Sequence, residues 1–314
     1  MTSLTPADHD AEVRRGTFYG IAAYGIWGAF PLYFFALKPS GPWEILAHRI
    51  VWTLAFCGLI LTIRRDWGWL RRVLGNPRLL AGLTIAALVI AVNWVVYILA
   101  VVSGRTYEAA LGYFLNPIVT VALGVLVLKE RLRPLQWAAV AIGALAGLYL
   151  TVAGGVIPWI PAVLALSFAT YGLVKKRLGA SLAALHSLTA ETMVLAPVAA
   201  VVLVLVHLAG TGTLGEHGGL HSTLLLSAGV VTAIPLLFFA AAARRVPLTT
   251  IGLLQFMTPV MQLLAGVLVL GEHVSRQLWV GFGIVWLALV LLTVDLIRSG
   301  RAGRNRVDLE VPEP

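Results

Sequence analysis

The chain has 314 residues, 59% of them hydrophobic and only 12% charged, with a mean hydropathy of +0.90 and a net charge of +9. Soluble domains carry about 25% charged residues, so an ordinary water-soluble globule is excluded, and there is apolar length for many membrane spans of about 20 residues each. A single cysteine, Cys57, lies in an apolar run and excludes intramolecular disulfides and Cys-built metal sites.

Apolar runs set between Gly, Pro and charged punctuation predict ten membrane-spanning helices. They cover 17–37, 43–63, 79–102, 107–128, 134–153, 156–174, 182–208, 222–243, 249–270 and 276–297. Residues 1–16 are acidic and then basic, so no cleaved signal peptide is expected and the first apolar run should remain a span. Arg64–Leu74 (RRDWGWLRRVL) alternates cations with Trp67, Trp69 and Leu70, a pattern that suits a short helix lying at the membrane interface. Pro134 and Pro158 stand near helix starts, where the missing N–H costs nothing. Pro31, Pro117, Pro197, Pro235 and Pro259 interrupt five spans, and the carbonyls they free are tolerated only inside protein or beside water. Gly20, Gly25 and Gly28 in the first span, and Gly143 with Gly147 in the fifth, read as close helix contacts. The tail 299–314 is polar and expected to be disordered.

One stretch occurs twice. Tyr113–Val152 and Gln255–Val294, 142 positions apart, align without a gap and share fifteen residues, among them Pro117/Pro259, Gly124–Leu128/Gly266–Leu270, Glu130/Glu272 and Trp137/Trp279. Lysine and arginine choose the orientation. Nineteen of them fall at one side (1–16, 64–78, 129–133, 175–177, 244–245 and 298–306), against Lys38, Arg105 and Arg276 on the other, with Arg49 inside a span. That bias predicts cytoplasmic termini and accounts for the net charge without a nucleic-acid partner. Five spans per half is an odd number, so the second copy enters the membrane inverted; its loop GEHVS (271–275) has lost the cations of KERLR (129–133). The expected organisation is a cytoplasmic stretch 1–16, a five-helix unit 17–153, an inverted five-helix unit 154–298 and the tail. Secondary transporters are built in this way.

Charge inside a bilayer costs about 2.5–3.5 kcal/mol on insertion scales, so each such residue needs a reason. Glu44, His48 and Arg49 open the second span, with Glu44 and His48 on one helical face. Asn93 and Tyr97 lie four apart in the outward half of the third span, and Glu108, Tyr113 and Asn116 follow along the fourth. Together they are expected to form the wall and mouth of a polar cavity open outward. Arg49 has a structural alternative, snorkelling to the outer headgroups or pairing with Glu44 or Glu108. Glu191 stands near the middle of the seventh span, where an unpaired carboxylate would protonate and a hydrogen-bonded one would be structural. Gln255 and Gln262, seven apart, are expected to share a face of the ninth span and either line the path or join helices. Trp27, Phe30, Tyr33, Trp94, Tyr97, Tyr113, Phe168 and Tyr171 are candidate walls for an amphipathic organic molecule. His207, Glu216, His217 and His221 gather near the loop between spans seven and eight, where a solvated Gly-rich loop is a simpler reading than a metal site. No HExxH, GxSxG, Walker or dinucleotide motif occurs, and neither metal nor cofactor is expected.

The segments GIWGAFPLYFF (25–35), EILAHRIVW (44–52), NWVVYILAV (93–101), EAALGYFLNPIVTVALGVLVLKERLR (108–133), LTAETMVLAP (188–197) and VTAIPLLFFAAAARR (231–245) resemble the RarD-type permeases, within the EamA branch of the drug/metabolite transporter superfamily. AHR with a following Trp, YFLNP and LTAET are the most specific elements of a likeness that spans residues 17–297. The resemblance implies an all-α integral membrane fold, ten helices in two inverted five-helix repeats around a central cavity, and transport without ATP. It also implies a pathway along Glu44, His48, Arg49, Asn93, Tyr97, Glu108, Tyr113, Asn116, Glu191 and Gln255. Two function classes follow. One is an inner-membrane permease for a small organic metabolite or amphipathic drug, with a proton as candidate coupling ion, membrane lipids and the solute as partners, and either a monomer or a homodimer as its state. The other is a lipid-modifying membrane enzyme built on Glu44, His48 and Glu108.

Overall fold

Helices follow one another with short turns throughout the computed structural model, which describes residues 6–129, 132–154, 157–178, 182–243, 245–246 and 254–310. In chain order they are α1 (Pro6–Ala36), α2 (Pro42–Ile63), α3 (Gly68–Leu74), α4 (Pro77–Val102), α5 (Thr106–Leu128), α6 (Pro134–Gly154), α7 (Trp159–Leu178), α8 (Ala184–Leu208), α9 (Gly218–Ala243), α10 (Met257–Leu264) and α11 (Arg276–Glu310). A π-turn, Ala265–Val269, continues α10. No strand occurs among the described residues. Eight of the helices are long and apolar enough to cross a membrane; α7 and α10 contribute shorter apolar stretches, Trp159–Lys175 and Met257–Val269.

The surface exposes many large apolar side chains, and several polar groups are buried within the hydrophobic interior. Leu59, Leu88, Leu148, Val201, Leu205 and Leu287 are each more than half exposed, while Glu44, Asn93, Glu191 and Gln262 are at most 3% exposed. Apolar faces turned outward suit lipid, where each backbone polar group has to be satisfied within its own helix. Hydrogen bonds gather the turns at two ends. At the distal end Glu44 joins Thr213, and Glu272 joins Thr106 and Tyr107. At the opposite end Asp66 meets His186, Glu12 meets Arg245 and Asp295 meets Gln136.

Helices of the first half pack chiefly on helices of the second. α1 lies against α9 and α10, α2 against α8 and α9, α4 against α7 and α8, α5 against α7 and α10, and α6 against α11. Small residues permit this. A Cβ on Gly28 would sit 2.7 Å from Met261 Cβ of the second half; within the first half, one on Gly143 would sit 2.6 Å from Ile118 Cγ2, whereas Gly147 faces open space.

Several elements depart from expectation. α1 begins eleven residues before the predicted span, and Arg245 holds Glu12 on that extension at 2.9 Å. α11 runs on to Glu310, past Ser299 where the ordered chain was expected to end; helix-favouring Arg and Ala continue it, and the next proline is Pro312. α3 does more than lie at the interface. Trp69 and Val73 are 1% and 2% exposed, and His186 stacks on Trp69 with centroids 5.1 Å apart, so the helix is clamped to the start of α8. Pro31, Pro117, Pro197 and Pro235 lie within continuous helices, but the ninth span breaks at Gln255–Phe256. Pro259 has no N–H to offer the Gln255 carbonyl, so the helix restarts at Met257 with Pro259 in its first turn. Residues 249–253 of that span, 155–156 at the junction of the halves, and Glu130 lie outside the described residues.

Glu272, conspicuous in the repeat but without an assigned role, caps another helix. Its Oε1 accepts the Thr106 N–H at 2.9 Å and its Oε2 the Tyr107 N–H at 3.0 Å, placing a carboxylate on the positive end of α5. The π-turn aims it there, and Gly266 leaves the room: a Cβ at 266 would sit 2.8 Å from Glu272 Oε2 and 3.2 Å from Thr106 Cβ. Glu272→Gln and Gly266→Ala are each expected to cost about 1–2 kcal/mol, read as a lower melting temperature in detergent, and the double variant less than their sum because both act on one cap. A Glu272→Gln protein that melts with the wild type contradicts this role.

Candidate functional site

Arg49 is the centre. It sits two turns into α2, is 5% exposed, and its Nε donates to Thr232 Oγ1 on α9 at 2.9 Å. Its guanidinium carbon lies 4.0 Å from the Trp94 ring centroid and 5.6 Å from those of Phe30 and Phe34. Desolvated cation–π contacts reach about 2 kcal/mol, which offsets part of the several kcal/mol lost on burying a charge. Among the described residues neither Nη group has an acceptor, and no carboxylate pairs with Arg49. The expected bridges to Glu44 or Glu108 are not formed, because each acid is engaged elsewhere.

Glu44 Oε1 accepts the backbone N–H of Thr213 at 2.7 Å and the Thr213 hydroxyl at 3.1 Å, while its Oε2 is buried without a partner. Thr213 Oγ1 is 2.6 Å from Ser40 Oγ, and His221 Nε2 lies 3.0 Å from both hydroxyls. This knot ties the α1–α2 turn to the segment before α9. His221 is 7% exposed, so it is part of a packed seal and not of a solvated loop. His48 is 4% exposed, and its Nδ1 accepts the Trp52 indole N–H at 3.2 Å. Glu108 takes two bonds from Arg105, at 2.6 and 2.9 Å. Glu44, His48 and Glu108 are thus held separately, with no hydrogen bond joining them among the described residues. The outward opening expected here is not seen: Glu44, His48, Arg49, Asn93, Tyr97 and Glu108 are all under 9% exposed, and only Tyr113 and Asn116 of the expected wall are partly exposed.

Behind Arg49, Asn93 bridges helices. Its Nδ2 donates to the Leu164 carbonyl and Ser167 Oγ, both at 3.0 Å, and its Oδ1 accepts the Tyr113 hydroxyl at 3.1 Å. The Tyr97 ring meets Phe34 edge-on and Tyr113 at a tilt, with centroids 5.8 and 5.7 Å away, and its buried hydroxyl has no partner. Asn116 Oδ1 is also buried without a partner. Gln262 donates to the Trp27 carbonyl at 3.2 Å and leaves Oε1 unpartnered. Gln255 is half-buried and lies in the turn before α10, outside the helix that carries Gln262.

Glu191 stands apart. It lies in the third turn of α8, closer to the middle of the helix than to its start, and is 2% exposed. Lys175 Nζ pairs with its Oε1 at 2.8 Å, the Ser187 hydroxyl donates to the same oxygen at 3.0 Å, and the Tyr171 hydroxyl donates to Oε2 at 3.1 Å. A carboxylate satisfied on both oxygens has the form of a structural acid.

The structure therefore gathers Arg49, Asn93, Tyr97 and Tyr113 and leaves Glu44, Glu108 and Glu191 in separate bonds. It adds Phe34, Thr232, Ser40 and Thr213, which sequence reasoning missed. Phe34 was within reach, since it follows Phe30 by one helical turn in FPLYFF. Nothing in the sequence singles out the hydroxyls, because their partners are 173 to 183 positions away. Unpaired donors and acceptors inside aromatic walls, with no activated nucleophile beside them, suit holding a small molecule.

The EamA-like transporter family model matches residues 14–153 and again 157–294. Protein RarD of Streptomyces exfoliatus is 51% identical, over 96% of this chain and 95% of its own length. Protein RarD of Escherichia coli is 37% identical over 92% and 97%, and the chloramphenicol-sensitive protein RarD of Pseudomonas aeruginosa 32% over 93% and 98%. A crystal structure titled only as that of a protein shares the fold, with a TM-score of 0.57 at 19% identity, over 90% of this chain and 98% of that one. The chain belongs to the EamA-like transporter family, as a RarD-type permease and a multi-pass membrane protein.

Proposed function

We propose that the chain is a secondary transporter that moves a small organic solute by alternating access, without ATP. Ten helices cross the bilayer as two inverted five-helix units, α7 and α10 completing the eight longer spans. Packing supports the inverted repeat as well as the repeated sequence does. When α1 is exchanged with α7, α2 with α8, α4 with α9, α5 with α10 and α6 with α11, the pair α1·α10 becomes α7·α5. Likewise α1·α9 becomes α7·α4, and α2·α9 becomes α8·α4, all of them pairs in contact. The cation bias supports cytoplasmic termini in the inner membrane.

The observation that carries the transport reading is the position of Arg49, where α1, α2, α4 and α9, from both halves, converge. Rocking one half against the other would expose it first to one side and then to the other. The Ser40–Thr213–His221–Glu44 knot is the gate that opens outward. The reconstituted protein is expected to show solute counterflow without ATP across a metabolite panel, with chloramphenicol included because a relative is named for sensitivity to it. Absence of counterflow for every member contradicts the reading.

The gate makes a sharper prediction. In a Cys57→Ser background, Ser40→Cys with Thr213→Cys is expected to cross-link on oxidation, abolish counterflow, and recover with reductant. Undiminished flux in fully cross-linked protein contradicts the gate. As a structural acid, Glu191 depends on its cation. Lys175→Met is expected to cost about 2–3 kcal/mol, at the low end for a buried pair because Lys175 is itself 31% exposed. Lys175→Met with Glu191→Leu should recover most of that, and Glu191→Gln should melt lower yet keep any ion dependence of flux. A double variant no more stable than Lys175→Met, or loss of ion dependence in Glu191→Gln alone, goes against this assignment.

A further inference from the structure

We propose that the solute is an organic carboxylate, held end-on by the two Nη groups of Arg49. This rests on the transport reading above and adds the charge and shape of what is carried. Thr232 Oγ1 occupies Nε at 2.9 Å, which fixes the plane of the guanidinium and leaves its Nη edge without an acceptor among the described residues. The acids of the bundle do not neutralise it: Glu44 is bound by Thr213, Glu108 by Arg105 and Glu191 by Lys175. A guanidinium 5% exposed, with no counter-charge among the described residues, is completed by an anion brought from outside. The fork of two N–H groups matches the two oxygens of a carboxylate.

The walls select the rest of the molecule. Trp94 lies over the guanidinium at 4.0 Å, and Phe30 and Phe34 approach at 5.6 Å, so its faces are covered by rings and only an edge remains for the ligand. Those rings suit a hydrocarbon or aromatic body and disfavour a hydrated inorganic ion. The unpartnered Tyr97 hydroxyl, one ring beyond Phe34, offers a further polar contact.

The test is melting of the detergent-purified protein with matched pairs at equal ionic strength: benzoate and benzamide, hexanoate and hexanamide, indole-3-acetate and indole-3-acetamide. At least one carboxylate is expected to raise Tm in a concentration-dependent way, and its amide to leave Tm unchanged. Arg49→Met is expected to abolish that rise while melting no lower than the wild type, because it removes an uncompensated buried charge. Arg49→Lys keeps the charge and loses the fork, and is expected to need about tenfold more carboxylate for the same shift. Equal shifts from the amides, no shift from any carboxylate, or an Arg49→Met protein that folds but melts far below the wild type overturns the proposal. Should Arg49→Met fail to fold, Arg49→Lys decides: an undiminished response overturns the site and a weakened one upholds it. Carboxylate-selective binding without counterflow would keep the anion site and contradict transport. Counterflow that ignores the acid group would do the reverse.

Discussion

A guanidinium buried among lipid-facing helices, with no carboxylate among the described residues to neutralise it, is the constraint on which the rest of this bundle turns. Arg49 keeps its charge inside by three devices: one hydrogen bond to Thr232, the aromatic faces of Trp94, Phe30 and Phe34, and a position where helices of both halves exclude lipid. Other buried charges are treated differently. Glu108 has Arg105, Glu191 has Lys175 and Asp295 has Arg133, each at 3.2 Å or less. Glu44 and Glu272 have no cation among the described residues and rest on backbone N–H groups instead. The Nη groups of Arg49 have no acceptor among the described residues, and the proposed anion site rests on that difference.

Around this centre the bundle is held at its two ends. One end is fastened by the Ser40–Thr213–His221–Glu44 knot and by the Glu272 cap on α5. The other is fastened by contacts between long polar side chains, Asp66 with His186, Glu12 with Arg245, and Arg133 with Asp295. The distal knot is buried throughout, since Ser40, Glu44, Thr213 and His221 are all under 9% exposed, whereas each pair at the other end has one partner at least 36% exposed at the side chain, even where the second, such as Asp295, is buried. Desolvated hydrogen bonds open less readily than exposed ion pairs. The asymmetry fits a conformation sealed at the distal end.

Helices were legible in the sequence wherever a local rule decides them. Apolar length fixed α2, α4 and α5 to within two residues, with Pro42, Pro77 and Pro134 marking starts. The second repeat was harder, because Pro259 takes effect four residues upstream and breaks the span at Gln255. Charged residues were found correctly as exceptional, but their partners were not. The pair Arg105–Glu108 lies within one turn and was readable. Glu191 with Lys175 joins two helices, and Glu272 reaches a helix start 165 positions earlier, so neither follows from spacing. His221 looked solvated because Gly218 and Gly219 precede it; tertiary contact with Ser40 buries it.

The most direct test of an enclosed path between the two halves is sided thiol labelling of Asn116→Cys in a Cys57→Ser background. Asn116 carries a buried oxygen with no partner, on a helix that packs against both α7 and α10. In oriented membrane vesicles, a membrane-impermeant reagent is expected to modify this cysteine from either face, and saturating solute to slow the reaction from both. Modification from neither face, or from one face alone whatever the solute gradient, would contradict alternating access to a shared interior site.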